Sequence, residues 1–153
     1  MKKLYASAAG YTVLGLAAGL YYRELTRSHG FTGTSQLGLG HTHFLTLGTL
    51  VMLLVLVLEQ VFRLSQSRTF GWFFGLWNAG VLVTGAMMLV RGTFTVLGDP
   101  LTSKAFAGIA GLGHMMLTAG FVLLFLALRK ALQSAPTPGS QRTSAPARQV
   151  PVG

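Results

Sequence analysis

Apolar residues fall into four long runs, at about residues 4–22, 37–62, 70–90 and 105–128, with polar residues gathered in short connections between them. A bilayer core about 30 Å thick needs about 20 helical residues to cross it, so each run is long enough to span. None alternates apolar with polar positions as a membrane strand would, which leaves helices as the spanning element. Short connections favour antiparallel neighbours. The pattern therefore predicts an all-α integral membrane four-helix bundle, with a transmembrane domain over residues 1–130. Beyond Gln133 the composition turns to Ser, Pro, Thr, Gln, Gly and Arg. Such a segment buries little apolar surface, so residues 134–153 are expected to be a disordered, solubilising cytoplasmic tail.

Composition narrows the classes further. The chain is 51% hydrophobic and 10% charged, against about 25% charged in an average soluble domain. The absence of cysteine excludes disulfides, thiolate metal centres, iron–sulfur clusters and covalent c-type haem attachment. A net charge of +9 would suggest nucleic acid in a soluble protein. Here the cations lie between apolar runs and read as membrane flanks. Lys2, Lys3 and Ala6-Ser7-Ala8 superficially fit a signal peptide, but the small-residue triplet precedes the apolar segment, so an uncleaved first span is expected.

Cation placement gives an orientation. Lys2, Lys3, Arg63, Arg68, Arg129, Lys130, Arg142 and Arg148 fall on one side of a four-span topology, and Arg23, Arg27, Arg91 and Lys104 on the other. The bias places both termini inside, and it persists without the two tail arginines.

Three of the four histidines lie within spans. His29 sits in the first connection and reads as a solvated loop residue, whereas His41, His43 and His114 occupy positions where ionisable groups are costly and functional by default. Counted from the outer ends, His41 and His43 lie about two turns deep and His114 about two to three, so all three share one level of the outer half. His41 and His43, two residues apart, project about 200° apart on a regular helix. They cannot comfortably clamp one ion, which takes spacings of three or four, and they serve two different sites instead.

A neutral imidazole is a strong axial ligand for haem iron, and helix bundles commonly hold such cofactors in their cores. Gly38, Gly40 and Gly48 flank the pair, and Gly108, Gly111 and Gly113 precede His114, permitting close approach of a flat ring or of another helix. Arg91, Arg23 and Arg27 gather at the outer ends, where propionates would need cations. Trp72, Trp77 and most tyrosines fit an interface belt. Glu59 and Gln60 close the second run, with helix-end solvation as their expected role.

Overall, Tyr22-Arg23-Glu24, Gly30-Phe31-Thr32-Gly33, His41-Thr42-His43 and Gly111-Leu112-Gly113-His114 resemble a family of small bacterial four-helix membrane proteins of uncharacterised function, over about residues 1–130. That resemblance implies a multi-pass protein of the bacterial inner membrane. Separately, Gly40-His41-Thr42-His43-Phe44-Leu45-Thr46-Leu47-Gly48 resembles the His-x-His helix of haem–copper oxidase and nitric oxide reductase catalytic subunits. In those subunits the two histidines ligate different haems, the high-spin haem at the position of His41 and the low-spin haem at that of His43. Twelve helices form three four-helix arcs there, which a homotrimer of this chain would reproduce. No further histidine pair completes a copper site and no His-x-x-x-Tyr is present, so copper-dependent oxygen reduction is not expected.

The leading expectation is a non-covalent haem b protein, homotrimeric, engaged in electron transfer or in binding oxygen or nitric oxide, with membrane lipid and its own copies as partners. Two ligation schemes are open. His41 of one protomer and His43 of the next could share a haem at each interface, the scheme that the geometry of the pair favours. Alternatively, His43 and His114 could hold haem within one bundle. Rival expectations are a transporter or channel using the same histidines for a transition metal or protons, and a haem-free scaffold subunit.

Overall fold

A computed structural model describes residues 1–133; the tail expected over 134–153, with Arg142 and Arg148, lies outside the described residues. Four helices long and apolar enough to cross a membrane make up the fold: α1 (Lys2–Ser28), α2 (Leu37–Phe62), α3 (Arg68–Val96) and α4 (Lys104–Gln133). No strand occurs among the described residues. The helices run past their apolar stretches, as α1 does through Arg23, Glu24 and Arg27 to Ser28, because backbone hydrogen bonding continues into ends that water can reach. The end formed by the 29–36 and 97–103 connections is called distal below, and the opposite end, with the chain start and the 63–67 turn, proximal.

The proximal turn is set by three local devices. Arg63 closes α2 in the left-handed region, at φ 49 and ψ 46. A short 3₁₀ turn follows over Leu64–Gln66, and the Ser67 hydroxyl accepts from the Phe70 amide at 3.2 Å to cap α3. Glu59 is buried, at 7% exposure. Its carboxylate accepts from the Ser65 amide at 2.7 Å and from the Ser65 hydroxyl. Glu59 is therefore a fixed part of the turn rather than a solvated helix end.

α2 changes pitch along its length. It is α-helical over Leu37–His43, a π-helix over Phe44–Leu50 and α-helical again over Val51–Phe62. The wide segment carries Gly48, where any Cβ would overlap the ring of Tyr11. That ring stacks on Phe44, centroids 6.2 Å apart and planes 19° apart. π-helical turns are rare and gather at functional sites; this one begins immediately after His43.

Consecutive helices pack in chain order, and α1 also reaches α3 through the Tyr21 and Thr93 hydroxyls at 3.1 Å. α1 and α4 do not touch. The four helices thus form an open arc rather than the closed bundle that the short connections suggest. The reason lies in where close approach is possible. A Cβ at Gly92 would strike the backbone of Leu37, one at Gly85 the ring of Phe44, and one at Gly113 the side chain of Thr84, so tight contacts join α2 to α3 and α3 to α4. α2 and α4 approach each other only along Val51–Phe62. Toward the distal end they splay apart, leaving a groove floored by α3.

Candidate functional site

The floor of the groove is a stripe on α3. Trp77, Thr84 and Arg91 recur at seven-residue spacing, close to two full turns, so they share one face about 10 Å apart along the axis. Each marks a different level of the groove.

Trp77 closes the proximal end. It is fully buried, at 0% exposure, its indole N–H donates to the Leu47 carbonyl on α2 at 3.0 Å, and Phe121 of α4 meets it edge-on with centroids 4.5 Å apart. The interface-belt assignment from sequence is therefore corrected for Trp77. It stands between α2 and α4 because its one polar atom answers a carbonyl in the π segment and its rings fill the gap where α4 offers Gly120. Trp72, 70% exposed, faces outward as belt residues do.

Thr84 marks the middle level. Its hydroxyl lies 2.5 Å from Nε2 of His43 and 2.7 Å from the Gly80 carbonyl. A carbonyl only accepts, so the single hydroxyl proton goes to Gly80 and the hydroxyl oxygen accepts from the His43 Nε2–H. This fixes the tautomer of His43 and leaves the lone pair on Nδ1.

His114 stands on the opposite wall. Its Nδ1–H donates to the Ala110 carbonyl at 2.8 Å, which leaves the Nε2 lone pair unengaged, and the residue is exposed. The preceding Gly113 packs on Thr84, so both histidines stand at the Thr84 level. Phe121 lies one seven-residue step proximal of His114 on the same face.

His41 looks the other way. Its ring packs on α1, where a Cβ at Gly19 would lie 3.7 Å from the His41 Cβ. Its Nδ1 is buried without a hydrogen-bond partner, a state that costs about 1–3 kcal/mol. Of the sequence-selected residues, the structure brings His43 and His114 to the Thr84 level, sets Arg91 two turns distal on the same α3 face by its spacing, and leaves His41 on the α1 side. Arg23 and Arg27 are exposed on α1 away from that groove, with Arg23 3.9 Å from its neighbour Glu24. No group of three or more His, Cys, Asp or Glu residues set to hold a metal ion occurs among the described residues. Thr84 escaped the reading of the sequence, although its spacing of seven from both Trp77 and Arg91 could have revealed it.

These features define an all-helical protein with four membrane-length helices and a histidine-walled groove opening toward one end. The chain belongs to the family described as "Protein of unknown function (DUF2871)", whose model matches residues 1–131. No curated protein and no solved structure matches it. No comparison links the chain to haem–copper oxidases, and that likeness rests on residues 40–48 alone.

Proposed function

We propose that this protein is a membrane haem b protein in which His43 and His114 hold the haem across the groove between α2 and α4. The observation that carries the reading is the pair of imidazoles at one level, on facing walls, each with one nitrogen bonded to the protein and the other carrying a lone pair. An imidazole that would hold a metal through one nitrogen commonly bonds the protein through the other, which fixes ring orientation. Two ligands suffice for haem, so the lack of a three-residue metal group is no obstacle, whereas it counts against a dedicated transition-metal site.

The chain's own residues divide the remaining work. Thr84 orients His43, Arg91 supplies a cation about 10 Å distal for a propionate, and Trp77 closes the proximal end. Haem held by His43 and His114 would supply one-electron transfer, and haem held by only one of them would supply binding of oxygen or nitric oxide. The open side of the arc, with His114 exposed on it, favours closure by further copies, and a homotrimer in a bacterial inner membrane with both termini cytoplasmic is the assembly proposed here. In this reading His41 is not a ligand of the groove haem. The interface scheme would require it to leave its packing on α1.

The test is the absorption spectrum of the protein purified in detergent, before and after addition of hemin. A Soret band, accompanied by sharp α and β bands on reduction, supports the reading. Copper or zinc at one equivalent without a Soret band would favour the metal or proton channel. Protein that binds neither would favour a scaffold subunit.

A further inference from the structure

The proximal end carries a second cavity, of about 460 Å³, which the haem reading leaves unused. Lys2, Lys3 and Leu4 of α1 form one wall, and Phe70, Gly71 and Phe74 of α3 the other. Both helices begin at this end, so the positive ends of two helix dipoles face the same region. The ammonium groups of Lys2 and Lys3 join them, with the Met1 amino group beside them, and no carboxylate pairs with either lysine among the described residues. The nearest candidate, Glu59, is turned inward onto the Ser65 amide and hydroxyl, and Ser65 itself lines the cavity. No described residue therefore supplies the anion that would neutralise the lysines. Below the lysines the lining is apolar, with Leu4 and Phe70 buried at the back and Gly71 and the half-buried Phe74 toward the opening. A Cβ at Gly71 would meet nothing within 4 Å, so the space there is open.

We infer that this cavity is a binding site for an acidic phospholipid, with the headgroup phosphate at Lys2 and Lys3 and the upper acyl chain along Phe70 and Phe74. A site charged at the membrane edge and apolar toward the core matches an anionic amphiphile. A soluble phosphate would leave the apolar wall unused, and a zwitterionic lipid would oppose the lysines with its own cation. Juxtamembrane lysines attract anionic headgroups individually; the cavity adds a fixed place for one. This inference is independent of haem.

Native mass spectrometry of the full chain, released from detergent after equilibration with equal amounts of phosphatidylglycerol and phosphatidylcholine, reads the site. The expected result is one retained phosphatidylglycerol with a preference of roughly thirtyfold, given two lysines at the headgroup. Two variants should each abolish or sharply reduce the preference: the double change Lys2→Gln and Lys3→Gln removes both side-chain charges, and Gly71→Leu fills the open space without altering charge. Equal retention of the two lipids would overturn the site. So would loss in the lysine variant with full retention in Gly71→Leu, which would show diffuse surface attraction only. Displacement of the lipid by millimolar inorganic phosphate would reduce the site to an anion pocket and overturn the lipid assignment. Unchanged helical content by circular dichroism keeps each variant interpretable.

Discussion

The indole of Trp77 donates its only hydrogen bond to the carbonyl of Leu47, inside the π-helical segment of α2, at 3.0 Å. A π turn draws each carbonyl off the line of ordinary helical bonding, and at Leu47 a side chain from the next helix supplies a partner. The irregular stretch after His43 is thereby tied to α3 at the same point that closes the groove. Trp77→Phe keeps most of the ring volume and removes the donor. It should lower stability by about 0.5–1.5 kcal/mol, the net worth of one intramolecular hydrogen bond, as read from thermal unfolding in detergent. Trp72→Phe, on an exposed residue, should change it little.

The glycines divide into two groups that should behave oppositely. At Gly92 a Cβ would strike the backbone of Leu37, which cannot swing aside as a flexible side chain can. Gly92→Ala should therefore part α2 from α3 at the distal end and cost more than about 2 kcal/mol, in the range of overpacked cores. Gly75 has nothing within 4 Å, so Gly75→Ala should be neutral or slightly stabilising. The comparison is made by the melting temperatures of the two single variants.

Arg63 is the only non-glycine residue with positive φ among the described residues. Left-handed backbone costs an L side chain roughly 1 kcal/mol, and glycine is the residue favoured at such helix ends. Arg63→Gly should raise stability by about 0.5–1 kcal/mol. Arg63→Val, branched at Cβ, should lower it. The helical signal on heating distinguishes the two outcomes.

Much of this fold was legible in the sequence, and the unread part has a common cause. Four helices follow from run length alone, because lipid demands a fixed span and an internally bonded backbone. The opposed directions of His41 and His43 follow from helical pitch. Which side each faces depends on how α1, α3 and α4 are placed around α2, and no local pattern carries that. The burial of Trp77 was hidden for the same reason: an aromatic near a span end looks alike whether it faces headgroups or a neighbouring helix. The open arc depended on glycines acting in pairs across helices, Gly92 with Leu37 and Gly113 with Thr84, so their partners became visible only once the chain was folded. The seven-residue spacing of Thr84 from Trp77 and Arg91 was present in the sequence, but its pairing with His43 was not.

The two ligation schemes make different demands on the histidines, and substitution separates them. With haem across the groove, His43→Ala and His114→Ala should each remove or grossly weaken the Soret band. His41→Ala should retain it, because that ring lies against α1. The interface scheme requires the band to survive in His114→Ala and to fail in His41→Ala. Thr84 adds a finer test, since it acts on the iron only through the orientation of His43. Thr84→Val keeps the shape and loses the acceptor for Nε2–H. It should leave the protein folded but shift the reduction potential and broaden the reduced α band, since ligand basicity and ring orientation are set by the partner of the bonded nitrogen. Thr84→Ser, which restores a hydroxyl at the same place, should return both toward the parent values. If the valine variant lowered haem occupancy and the serine variant failed to recover it, the methyl contact with Gly113 rather than the hydroxyl would be what matters, and His43 would owe its direction to packing alone.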